Sequence, residues 1–239
     1  MRNKKLISVF ILLIISIMLL YLLPTLTTKN PAILASMPYI IFPESEQSEG
    51  TQVILKGTDL NHISEVYING KSINEINNIN SDEIRFFLPK EYYQNEKTLN
   101  IEVENAINKK SNKVQIEVVS DSSLEQGINI LPKYNQFLTM GEDNNISRIL
   151  KLNGISYGPY IDLDKGVYTV KISGENLDNS NYDISYNLGK NKIDAQELKR
   201  DNKEIIFRCD LEENLNGIEF RVMNIGQKDV QLNEILISK

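Results

Sequence analysis

Two hydrophobic patterns divide this chain. Residues 6–23 form one unbroken apolar run in which only Ser8, Ser16 and Tyr21 are polar. As a helix, such a run spans roughly 27 Å at 1.5 Å per residue, close to the thickness of a bilayer's hydrocarbon core. Beyond it the pattern changes to short runs bounded by Gly, Asn and Pro. Residues 51–56 (TQVILK) are β-rich and stop at Gly57, and 66–68 (VYI) lead into Asn69-Gly70, a strong hairpin signal. Residues 83–88 (EIRFFL) stop at Pro89, while 99–104 (LNIEVE) and 113–118 (KVQIEV) alternate apolar and polar. After a small, polar stretch at 120–127 the strand pattern resumes at 154–161, 167–173, 183–188, 204–211, 218–224 and 229–237. Period-two alternation without a sustained helical period predicts an all-β body. Residues 30–37 read as a linker, 128–140 as an entry strand or a loop, and 194–201 as a helical turn or a polar excursion.

The flanks of the apolar run give it a direction. Arg2, Lys4 and Lys5 precede it and only Lys29 follows closely, which sets the N-terminus in the cytoplasm and the remainder outside. The run is longer than a usual signal-peptide core, and no clean small-x-small site follows. An uncleaved anchor is therefore the expectation, with a cleaved signal peptide as the alternative. The expected organisation is a membrane anchor with its flanks over 1–29, one β-sandwich over 30–120 and a second over 121–239. The expected localisation is single-pass in the cell membrane, with the bulk of the chain extracellular.

The residues of the first unit carry a resemblance. Pro43, the run from Gly50 to Leu60, Val66-Tyr67-Ile68-Asn69-Gly70-Lys71, Ile84 to Pro89, Val103-Glu104-Asn105 and Ser111-Asn112 resemble an IPT/TIG domain. That resemblance implies an immunoglobulin-like sandwich acting as a spacer or interaction module. In the second unit, Tyr157-Gly158-Pro159-Tyr160-Ile161, Leu163, Gly166, Tyr168, Val170, Gly174, Asn176-Leu177 and Glu219-Phe220-Arg221-Val222 resemble jelly-roll domains of carbohydrate-binding-module type from bacterial envelope proteins. That resemblance implies sugar binding.

Charge and composition narrow the chemistry. The net charge is −6, with 26 basic and 32 acidic residues. Four of the basic residues precede Asn30 and no acid does, leaving 22 basic against 32 acidic, a net of −10. Such a body repels phosphate backbones, so nucleic acid is not an expected partner. The single cysteine, Cys209, excludes an intrachain disulfide and reads as a buried strand residue. The single histidine, His62, falls in a turn with no Ser or Cys partner suggested by spacing, so a hydrolytic triad has no base. Zinc sites lack ligands, and neither GxxxxGK nor GxGxxG occurs. Acids at 44–49 and Glu212-Glu213 read as solvated charge. No cofactor is expected, apart from a structural calcium for which Asp162, Asp164, Asp178 and Asp183 are the candidates.

Sugar binding needs aromatic faces to stack on pyranose C–H surfaces and planar polar groups to bond hydroxyls. Trp is absent, but there are 11 tyrosines, and Tyr157 and Tyr160 flank Gly158-Pro159. In 218–224, Ile218, Phe220 and Val222 share one face by period two, and Glu219, Arg221 and Met223 share the other. Tyr157, Tyr160, Glu219 and Arg221 are therefore the candidate carbohydrate site. The competing reading makes Tyr157, Tyr160 and Tyr168 core tyrosines. The expectation is a binding protein for an envelope or exported polysaccharide, not an enzyme. The alternatives are a structural component of a bacterial envelope assembly with protein partners, and a glycosidase-like enzyme using two facing acids.

Overall fold

A computed structural model describes residues 29–42, 50–73, 75–95, 97–120, 122–131, 137–143 and 146–239. The expected anchor helix and the acids at 44–49 lie outside these residues. Among the described residues, no helix is long and apolar enough to cross a membrane.

The first part of the chain holds β1 (Ala32–Met37), β2 (Ile40–Ile41), β3 (Gly50–Thr58), β4 (Ile63–Ile68), β5 (Lys71–Ile73), β6 (Ile76–Asn80), β7 (Glu83–Pro89), β8 (Thr98–Asn105) and β9 (Val114–Val118). They form two sheets, in the orders β1-β3-β7-β6 and β2-β9-β8-β4-β5. Alternation decides which side chains meet between them. Val53 and Leu55 of β3 and Ile84, Phe86 and Leu88 of β7 face Val66 and Ile68 of β4 and Leu99, Ile101 and Val103 of β8 in one buried cluster. Each such side chain removed from water contributes roughly 1.5–3 kcal/mol. The hairpin signal holds: Asn69 and Gly70 both take positive φ, 49° and 83°, and join β4 to β5.

Two readings of this part are corrected. Residues 30–37 are not a linker, because β1 pairs along β3 from Ala32↔Thr58 to Met37↔Ile54. Gly57 is not a turn residue either. It lies inside β3, and a Cβ there would stand 1.9 Å from the Ala32 carbonyl oxygen. The close approach of β1 is what requires glycine at this position.

A short helix, α1 (Ser122–Gln126), marks the passage to the second part. There the strands are β10 (Ile128–Asn129), β11 (Phe137–Asp143), β12 (Arg148–Tyr157), β13 (Pro159–Leu163), β14 (Gly166–Glu175), β15 (Ser180–Tyr186), β16 (Asn191–Ile193), β17 (Ala195–Arg200), β18 (Glu204–Leu211), β19 (Leu215–Asn224) and β20 (Val230–Ser238). They run in the order β16-β15-β19-β12-β20-β14-β18-β17, with β10 on β20, β11 on β12 and β13 on β19. The β-sandwich encloses a second cluster that includes Leu150, Ile161, Val170, Phe207, Phe220, Leu232 and Ile235. Cys209 sits within it at 3 % exposure, as read from the sequence. Residues 194–201 are neither a helical turn nor an excursion. Their central part, Ala195–Arg200, is β17, which pairs with β18.

The two cores are stitched together by β2. Successive side chains of a strand point to opposite sides. Ile41 therefore joins the first cluster, while Ile40 and Phe42 join the second. Thr51 of β3 also donates its hydroxyl hydrogen bond to Asp162 Oδ2 of β13, at 2.8 Å.

Candidate functional site

The outer face of β16-β15-β19-β12 builds a concave site. Ile218, Phe220 and Val222 of β19 turn inward at 0–1 % exposure. By alternation Glu219, Arg221 and Met223 turn to the other side, as the sequence pattern implies. Register brings the neighbours alongside: Asp183 of β15 stands opposite Arg221, and Met223 lies between Asn181 of β15 and Ile155 of β12. Tyr157 follows on β12, and Tyr160 comes from the start of β13. Leu188 and Gly189, from the turn after β15, close a side. Together these residues and Lys192 line a cavity of about 530 Å³. That volume falls within the range of small-ligand sites.

All four candidate residues line this cavity. Tyr160 is 6 % exposed and holds a positive φ of 63°, a conformation that bulky side chains rarely adopt. Its hydroxyl bonds the Glu219 carboxylate, and burial and that carboxylate together push its pKa far up. Tyr157 is half-buried, and its hydroxyl is shifted up by burial and by Glu219. Tyr168, by contrast, is a core tyrosine whose hydroxyl donates to the Asp164 carbonyl at 2.8 Å.

Arg221 and Glu219 have opposite roles in the electrostatics. Arg221 grips Asp183 with two nitrogens, Nε to Oδ1 and Nη2 to Oδ2 at 2.8 Å. Lys192 adds a contact to Asp183 Oδ2 at 3.0 Å. These partners outweigh burial and hold the Asp183 carboxyl below the usual range. Glu219 is 3 % exposed, and burial raises its pKa against the pull of Arg221 and Tyr160. Its Oε1 is buried and has no hydrogen-bond partner among the described residues. A buried acceptor left open in a cavity wall is suited to a donor brought by a ligand.

Sequence reasoning placed Asp183 among calcium candidates and did not name Asn181, Lys192, Leu188 or Gly189. The signal that could have found Asn181 and Asp183 is the alternation of β15. Its pairing with β19, however, spans 38 residues of sequence for Asp183 and Arg221. Of the four calcium candidates, Asp162 and Asp164 lie near one another, but no third joins them. Asp162 accepts from Thr51 and from the Gly217 N–H, Asp178 from Asn179, and Asp183 from Arg221. Among the described residues, no group of three His, Cys, Asp or Glu side chains is placed to hold a metal. His62 is exposed in the turn between β3 and β4, and Glu212 and Glu213 are exposed.

Comparison with known proteins agrees with the first sandwich. The IPT/TIG domain family matches residues 39–125. No curated protein matches the chain. Among solved structures, the C-terminal CBM6 of a marine laminarinase from Zobellia galactanivorans is 13 % identical, with a TM-score of 0.38, over 47 % of this chain and 99 % of that one. SGBP-B from a xyloglucan utilization locus of Bacteroides uniformis is 8 % identical, with a TM-score of 0.32, over 89 % and 74 %. SGBP-B from the mixed-linkage glucan utilization locus of Bacteroides ovatus, in complex with a heptasaccharide, is 10 % identical, with a TM-score of 0.33. This chain covers 88 % of its own length in that match and 53 % of the other. Likenesses of this size carry no functional weight.

Proposed function

We propose that this chain is a membrane-tethered, extracytoplasmic binding protein that recognises a neutral glycan through the cavity of its second, jelly-roll-type sandwich. The observation that carries the reading is the open Glu219 Oε1 beside Tyr157 and Tyr160 in a cavity of about 530 Å³. A sugar presents apolar C–H faces and hydroxyl donors side by side. This wall presents Tyr157, Ile155 and Met223 next to Glu219 and Asn181. The charged lining balances within itself, Asp183 and Glu219 against Arg221 and Lys192, which favours an uncharged ligand. Binding fits the cavity better than hydrolysis does. A two-carboxylate mechanism needs both acids available, and Asp183 is held by Arg221 and Lys192. The tether rests on the apolar run at 6–23.

The test is calorimetric titration of the full chain in detergent micelles against a panel of neutral cell-wall and capsular glycans. Tyr157→Ala is expected to weaken binding about tenfold, the equivalent of losing one aromatic contact worth about 1.4 kcal/mol. Failure of every glycan to bind, or binding indifferent to Tyr157→Ala and Glu219→Gln alike, would overturn the reading.

A further inference from the structure

A second cavity, of about 290 Å³, lies where the two sandwiches meet. Its wall draws Gln52 from β3 and Arg85 from β7 of the first sandwich, and Asn187 and Lys190 from the turn after β15 of the second. Tyr160 and Leu188 belong to both cavities, so a ligand resting on their shared wall reaches either space. Lys190 is exposed, and its ammonium makes no ion pair or hydrogen bond among the described residues. Gln52, in the wall of the same cavity, is also exposed. Arg85 is occupied by Glu83. The side chains left to meet a ligand therefore include the Gln52 amide from one sandwich and the Asn187 amide and Lys190 ammonium from the other.

Joining the two spaces demands that the sandwiches hold their relative placement, and the junction is fastened for that. Ile40 of β2 and Phe42 just after it are buried in the second core, although β2 pairs with β9 of the first sandwich. The Thr51 hydroxyl bonds Asp162, whose other oxygen accepts the Gly217 N–H at 2.8 Å. Leu188, 43 % exposed with a φ of 57°, projects between the cavities as an apolar divider.

Resting on the glycan reading above, we infer that the junction cavity is a second subsite for the same ligand, so that an extended oligosaccharide lies across both sandwiches, stacked past Tyr160 and Leu188, with Gln52 and Lys190 donating to its outer hydroxyls. The first sandwich is then part of the binding surface, not only a spacer beneath it.

The experiment is isothermal titration of the full chain in detergent micelles with two oligosaccharide ladders, β-linked glucose and β-linked N-acetylglucosamine, each from disaccharide to hexasaccharide. On a ladder that binds, affinity is expected to rise about tenfold or more between the shortest and longest members, each tenfold being about 1.4 kcal/mol of added contact. The double variant Gln52→Ala/Lys190→Ala alters two exposed side chains. It is expected to bind the disaccharide as the natural chain does and to lose most of the gain with length. An affinity independent of length, or a gain that survives the double variant, overturns the second subsite while leaving the glycan reading in place. Absence of binding by every member of both ladders overturns the subsite and counts against the glycan reading with it.

Discussion

Glu219 is where stability and recognition oppose one another. A carboxyl buried with an open oxygen costs free energy in its charged form, and its raised pKa records that cost. The sign follows from proton linkage. A group whose folded-state pKa is raised above its unfolded value stabilises the fold fully below the unfolded pKa. That contribution is lost as pH rises through the folded value. At neutral pH Glu219 therefore weakens the fold. Glu219→Gln, which keeps an acceptor for Tyr160 and removes the buried charge, is expected to raise stability at pH 7. The same change is expected to weaken glycan binding. Denaturant melts paired with titration calorimetry check both halves. A variant that is less stable and binds as before would remove Glu219 from the site. Tyr157, Tyr160, Glu219 and Arg221 could be read from the sequence because alternation in β19 and the Tyr-Gly-Pro-Tyr turn are local patterns. Asp183 and Lys192 could not, because their places depend on which strand lies beside β19, and no local pattern encodes that.

At the scale of elements, strands with an inward face announced themselves and strands without one did not. β18 runs from Glu204 to Leu211 with buried and exposed positions alternating, and the sequence reading gave those bounds. β17 has five exposed positions out of six and pairs on one side only, so no period of two marks it. β1 escaped for another reason. Its partner, β3, comes after a break in the pattern, and the fit depends on Gly57 admitting the Ala32 carbonyl. That contact supplies a test. Gly57→Ala puts a methyl group 1.9 Å from that oxygen, so β1 must shift away from β3. A cost of roughly 2–4 kcal/mol is expected, in line with core overpacking and lost strand pairing. Hydrogen exchange should show protection lost first at residues 32–37. Unchanged exchange there, with full stability, would mean that β1 is not held by this approach. The reading of the first sandwich as immunoglobulin-like survives either result, since its core lies between β3-β7 and β4-β8.

For the whole molecule, the question is whether two sandwiches behave as one body, and Asp162 offers a way to ask it. Its carboxylate sits at the junction, holding the Thr51 hydroxyl on one oxygen and the Gly217 N–H on the other. Burial, with a smaller push from nearby Asp164, raises its pKa to about 6, against the hydrogen bonds that favour the charge. The contribution is thus present in full below about pH 4 and is lost as pH rises toward 6. At one pKa unit per 1.36 kcal/mol, the loss at pH 7 amounts to at most about 3 kcal/mol. Asp162→Asn keeps both contacts, because the amide oxygen accepts from Gly217 and the amide nitrogen donates to the Thr51 oxygen. It also removes the titration. The variant should therefore match the natural chain near pH 4 and melt higher at pH 7. Scanning calorimetry of both proteins at the two pH values checks this and reads cooperativity in the same trace. Ile40 of β2, with Phe42 just after it, ties the second core to a strand that pairs within the first sandwich. Local loosening of either core therefore costs the other, and a single transition that moves as a whole is expected. Two transitions, with only the later one responding to Asp162→Asn, would mean that the junction fastens nothing and that a ligand spanning it would have to order the two halves itself.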